Sequence, residues 1–120
     1  MNKKIWIVDD DEGILDAVQI VLQQEGYDAE QITDPAGVPT RLQNEVHPNL
    51  ILLDILMSGV DGRDISQALK KNEKTNHIPI LIMTANIQAE KRFEESGADG
   101  LIKKPFDIDD LIQKVQQFAR

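Results

Sequence analysis

The 120-residue sequence predicts an α/β fold, a doubly wound parallel sheet with helices on both faces. Three observations carry that expectation. Short, almost continuously apolar runs recur along the chain, as in parallel strands buried on both sides. Stretches with helical spacing separate them, which is the pattern of crossover connections. The alternation also uses the whole length, with no repeat, linker or low-complexity segment, so residues 1–120 are expected to form one domain.

The first run, Ile5–Val8, is followed by a stripe of Ile14, Leu15, Val18, Val21 and Leu22 that predicts a helix. Asp11 is its expected N-cap, and Gly26 ends it where a left-handed residue is wanted. Tyr27–Ile32 alternates less cleanly and suits an edge strand. Val38–Val46 reads as a short helix with Pro39 tolerated in its opening turn. Leu50–Leu53 and Ile78–Met83 are the strongest strand runs, and Gly100–Ile102 is a weaker one. Gly62–Lys71 and Ile87–Glu95 read as helices. The last helix carries Ile108, Leu111, Ile112, Val115 and Phe118 after Asp107 as N-cap, with Asp110 in the capping-box place.

Composition narrows the function. Thirteen basic against 21 acidic residues give a net charge of −8, which repels phosphate backbones and anionic lipid, so direct nucleic-acid and membrane binding are not expected. The absence of cysteine removes disulfides, thiolate metal sites and thiol nucleophiles, and suits a cytoplasmic location. "KIWIV" runs straight into three aspartates, unlike a signal peptide, and no apolar stretch approaches the ~18 residues that span a bilayer.

In open α/β sheets, ligands bind beyond the carboxyl ends of the strands. The residues placed there are Asp9-Asp10-Asp11, Asp54, Thr84-Ala85 and Lys103-Lys104-Pro105, with Thr33-Asp34 left aside if its strand lies at the edge. Aspartates converging from two strand ends repel each other, and a divalent cation relieves them. Oxygen donors without histidine or thiolate suit a hard ion, Mg²⁺ or Mn²⁺. A hydroxyl from Thr84 and an ammonium from Lys104 complete what a phosphoryl group in transfer requires. Asp54, ending a buried run, is then the natural nucleophile, a carboxylate able to become an acyl phosphate. Each residue alone has a plainer reading: helix cap, turn initiator or solvated loop charge. Their coincidence at one predicted edge outweighs those readings.

In their order and spacing, "IVDDDEG", "ILLDILMSGVDG", "IMTA" and "KKPFDIDD" resemble the receiver domain of bacterial two-component response regulators, over essentially the whole chain. The resemblance implies a flavodoxin-like sheet of order 2-1-3-4-5 with five helices. It implies a Mg²⁺-dependent phosphotransfer from a sensor histidine kinase or histidine phosphotransfer protein, read out by a downstream protein target or output domain. Carried over by position, Asp54 is the phosphoacceptor. Asp10 is the direct metal ligand and Asp9 an acid acting through water, while Leu56 offers a backbone carbonyl to the metal. Thr84 and Lys104 match the switch hydroxyl and the phosphate-pairing lysine. Ala85 is the small residue keeping the approach open, and Pro105 follows a cis Lys104–Pro105 bond. Such a domain is not a turnover enzyme, and monomer or weak dimer is expected. Two positions depart from the family pattern. Ser58 stands where proline is usual, and Leu101 stands where a switching Tyr or Phe is usual, so coupling to Thr84 is expected to be differently built.

Two rival readings remain. A haloacid-dehalogenase-like phosphatase would use Asp9 as nucleophile, with Asp11, Thr84 and Lys104 as its further motifs. Against it, Gly13 stands where threonine or valine is usual, and 120 residues are short for that fold with a cap. A phosphorylation-independent interaction module would be marked by loss of a site residue, and none is lost.

Overall fold

The computed structural model describes residues 2–57, 59–85 and 94–119. Its sheet strands are β1 (Lys4–Val8), β2 (Asp28–Ile32), β3 (Leu50–Asp54), β4 (Ile80–Thr84) and β5 (Gly100–Lys103). They lie in the order β2-β1-β3-β4-β5, all neighbouring pairs parallel. The described helices are α1 (Glu12–Gln24), α2 (Val38–Asn44), α3 (Gly62–Lys71) and α4 (Ile108–Phe118). The helix expected over Ile87–Glu95 lies outside the described residues except for its last two, which sit in a 3₁₀ turn, Glu94–Ser96. Ser58 lies outside them too.

Strand alternation divides the core in two. Trp6, Val8, Ile51, Leu53, Ile80 and Ile82 face one side, where Leu42 of α2 and Leu69 of α3 cover them. Ile5, Ile7, Leu50, Leu52, Leu81 and Met83 face the other, against Leu15 of α1 and Leu111 of α4. Every residue of β3 is buried, as a central strand covered on both faces requires. Full burial of such side chains contributes about 1.5–3 kcal/mol each.

The helix boundaries have local causes. The Asp11 carboxylate accepts from the amides of Gly13 and Ile14, and Asp107 caps α4 by accepting from Asp109. Gly26 closes the end of α1 with φ +89°, the conformation that glycine adopts without penalty. Several limits shift from expectation by one residue, and two shift by two. β4 begins at Ile80 rather than Ile78, because Pro79 has no N–H for the ladder and Ile78 turns back onto the Thr75 carbonyl. α2 stops at Asn44 rather than Val46, since Glu45 is already extended.

The return from β3 into α3 leaves no room for a side chain at Gly62. Its amide bonds to the Ile55 carbonyl, and a Cβ there would stand 2.0 Å from the Asp54 carbonyl oxygen. Gly62→Ala should therefore destabilise the fold by about 1–3 kcal/mol through overpacking against backbone. Urea unfolding measures this, and an unchanged midpoint would show that the turn has slack the geometry does not suggest.

Candidate functional site

Register alone aligns the key residues. Val8 pairs with Leu53, so the next residues, Asp9 and Asp54, emerge side by side at the carboxyl edge. Thr84 pairs with Lys103 two strands further on, bringing Lys104 to the same edge. The Lys104 amide bonds to the Thr84 carbonyl at 2.8 Å, which holds this loop against the end of β4. The Lys104–Pro105 bond is cis, as expected.

The side chains then converge. Lys104 Nζ donates to Asp9 Oδ2 at 2.9 Å and to Asp54 Oδ1 at 3.2 Å. Asp9, Asp54 and Thr84 are buried, whereas Asp10 is exposed. The other oxygen of Asp9 accepts the Asp11 amide at 3.0 Å, which fixes the orientation of that carboxylate. One oxygen from each of Asp9, Asp10 and Asp54 lies within 4.8 Å of the others. Three carboxylates gathered so closely, without imidazole or thiolate, fit a hard divalent cation of the Mg²⁺ type.

Burial and charge act oppositely on these groups. Desolvation is the largest influence on Asp54 and pushes its carboxyl up to about 6; Lys104 pulls it down and the Asp9 charge adds to the rise. For Lys104, burial favours the neutral amine, but the hydrogen bond to Asp9 and the charge of Asp54 prevail and raise its pKa. The site thus holds two acids around one ammonium, with a charge deficit that a cation offsets.

The remaining expected residues take these positions. Ala85 is exposed directly after β4, and Pro105 is exposed after Lys104. Leu56 belongs to a two-residue antiparallel pairing, Leu56–Met57 with Val60–Asp61, immediately after Asp54. Leu101 is partly buried and packs on the core face of α2 and α3. Asp34 lies beyond β2, which is an edge strand, and is not a member of the aspartate cluster. Asp11 is occupied as the N-cap of α1, which leaves the phosphatase reading without its second acid. Sequence reasoning did not single out Gly62. Its signal was present, a glycine eight residues after Asp54 at a strand-to-helix return, but a need for absent volume is visible only in three dimensions.

Asp54 also sets a pH dependence. In the unfolded chain its pKa is near 3.8, against about 6 when folded. The folded state therefore binds this proton more tightly. Its stabilising contribution is complete below the unfolded value and is lost as pH rises through the folded one. Asp54→Asn should thus stabilise the metal-free protein at pH 8 by about 1–3 kcal/mol, with the gain shrinking towards pH 4. Urea unfolding in EDTA at both pH values checks this; equal gains at the two would rule out burial of the charge as the cause.

The family model for the response regulator receiver domain matches residues 5–116. The DNA-binding dual master transcriptional regulator RpaA of Synechocystis sp. is 38% identical over 120 residues, covering 98% of this chain and 49% of that protein. The chain spans about half the length of the curated relatives it matches. A putative response regulator from Chloroflexus aurantiacus superposes with TM-score 0.91 at 25% identity, covering 99% of this chain and 98% of that one. The receiver domain of the sensor histidine kinase PA1611 from Pseudomonas aeruginosa, with magnesium coordinated in its active-site cleft, superposes with TM-score 0.89 at 21% identity, over 99% and 98% of the two chains. None of these likenesses favours the phosphatase. With its sheet order, its strand-end acids and lysine, and a family match over nearly its whole length, the chain belongs to the response regulator receiver domain family.

Proposed function

We propose that residues 1–120 act as a phosphoacceptor domain in which Asp54 takes a phosphoryl group from a phosphohistidine on a partner kinase or phosphotransfer protein. The observation that carries this reading is the Lys104 ammonium shared between Asp9 and Asp54 at the carboxyl edge of the sheet. An Asp54 Oδ attacks phosphorus in line; the P–O bond forms as the P–N bond breaks, and the neutral imidazole leaves with a proton from solvent. With a pKa near 6, Asp54 is ionised at neutral pH and serves as a nucleophile without a separate base.

Asp9, Asp10, Asp54 and the Leu56 carbonyl would hold Mg²⁺, with Mn²⁺ as a substitute, Asp9 acting through water. When bound, the ion supplies charge neutralisation for the carboxylates and the phosphoryl oxygens. Its presence in the cleft of the Pseudomonas receiver supports this choice. Lys104 pairs with the incoming phosphoryl oxygens, and Ala85 leaves the approach open. Once Asp54 carries about −1.5 to −2 charge, the Thr84 hydroxyl is drawn towards it, which changes the surface at the ends of β4 and β5. With Leu101 at the switch position, there is no aromatic hydroxyl to trade burial for exposure, so readout rests on Thr84 and packing.

The relatives' DNA-binding names suggest an output domain or a downstream protein target as recipient of the switch. The domain itself would take up and slowly lose one phosphoryl group, without turnover on external phosphoesters. Asp54→Asn should abolish Mg²⁺-dependent labelling by acetyl phosphate, and Lys104→Ala should slow it at least about 10-fold, by loss of a charge-assisted contact. Intact-protein mass spectrometry reads both. Undiminished labelling of Asp54→Asn would end the proposal.

A further inference from the structure

The two histidines of the chain lie at the end of the sheet away from the aspartates. His47 precedes β3 and His77 precedes β4, neighbouring parallel strands, so both rest at the amino edge. That is one strand length, roughly 17 Å, from Asp54 and Thr84. Their rings stack with centroids 5.3 Å apart and planes inclined by 26°. His47 Nδ1 stands 3.4 Å from His77 Nε2, and His47 Nε2 is 2.8 Å from the Leu42 carbonyl oxygen. A carbonyl only accepts, so Nε2 of His47 carries the proton. A neutral His47 then carries its lone pair on Nδ1, the nitrogen 3.4 Å from His77 Nε2.

Two arrangements satisfy that lone pair. One is a hydrogen bond from His77 Nε2, although 3.4 Å is long against the usual range of about 2.7–3.2 Å. The other is a metal ion between two bare nitrogens. At about 2.0–2.1 Å per bond, tetrahedral zinc separates two nitrogen ligands by about 3.3–3.4 Å. Square-planar copper would bring adjacent nitrogens to about 2.8 Å. The observed separation matches the tetrahedral case. The contact from His47 to Leu42 also has the form that orients a metal-bound imidazole, its second N–H given to a carbonyl.

Both loops are held before any ion arrives. Next to His47, Asn49 exchanges two hydrogen bonds with the backbone of Lys4. Next to His77, Thr75 Oγ1 donates to the Leu69 carbonyl, and Lys70 Nζ reaches the carbonyls of Asn76 and Ile78. Each imidazole therefore hangs from a fixed backbone, so little ordering is needed on binding. The net charge of −8 adds a general attraction for cations.

We propose that His47 and His77 form a two-imidazole site for a borderline divalent transition ion of the zinc type, its other positions filled by water. The site is chemically separate from the oxygen-only aspartate cluster, and it stands independently of the phosphoacceptor reading. Mg²⁺ prefers oxygen ligands and is not a competitor for it. An ion here ties the loop before β3 to the loop before β4.

The test is a Zn²⁺ titration of the full chain labelled with ¹⁵N-histidine, in excess Mg²⁺, followed through the imidazole nitrogen shifts. With only two histidines, just two imidazoles need to be assigned, and the single-histidine variants assign them. His47 Nδ1 and His77 Nε2 should move together on one saturating curve. His47→Ala and His77→Ala should each weaken the site by at least about 10-fold, a ligand mattering no less than its supporting contacts. The curve should persist in Asp54→Asn. Response of one ring only, two different curves, an unshifted curve in a single-histidine variant, loss of it in Asp54→Asn, or no response at millimolar Zn²⁺ would each overturn the proposal, the last in favour of a plain hydrogen bond.

Discussion

The arrangement at the carboxyl edge depends on one shared ammonium. Asp9 and Asp54 leave adjacent strand ends into a buried place where two uncompensated charges would be costly to keep. Lys104 meets both at 2.9 and 3.2 Å, and its own burial is tolerable only because they are there. The balance is incomplete. Desolvation still raises the Asp54 carboxyl to about 6 despite the neighbouring cation. A site left short of positive charge in this way fits a hard divalent ion. The same imbalance costs stability, which is the usual relation between a functional site and the fold beneath it.

That interaction joins residues 95 positions apart, and it is the parallel topology that makes it local. In a sheet ordered β2-β1-β3-β4-β5, the ends of β1, β3, β4 and β5 all point the same way, and the edge strand β2 delivers its Asp34 elsewhere. Two details refine the placement. Gly62 lets the chain return over the Asp54 carbonyl with no side chain between. The amide of Asp11 holds the orientation of Asp9, while its carboxylate starts α1. One short acidic run therefore serves both as scaffold and as site.

The amino edge is built from different chemistry. There, backbone carbonyls, a threonine hydroxyl, the Lys70 ammonium and two imidazoles tie the loops that feed β3 and β4. Those strands carry Asp54 and Thr84 at their far ends. Because packed strands behave as stiff elements, a constraint at one edge is carried in the same structures that position the other. Carboxylate oxygens gather at one edge and imidazole nitrogens at the other, so the donor chemistry of the two edges differs.

Much of this was legible in the order of residues. Apolar runs and helical spacing specified five strands, the capping aspartates Asp11 and Asp107, the left-handed Gly26 and the strand-end set Asp9, Asp10, Asp54, Thr84 and Lys104, because burial on both faces and helix periodicity leave direct traces in composition. Boundaries were less legible: β4 starts after Pro79 and α2 ends before Glu45, where one backbone bond decides against a continuing apolar pattern. Tertiary structure alone decided that Lys104 bridges two acids, that Gly62 lies against the Asp54 carbonyl, and that His47 and His77 meet at 3.4 Å. Periodicity records which way a side chain faces relative to its own element. It carries no record of distances between elements, and these three relations are distances fixed by how strands align and how closely helices return upon them.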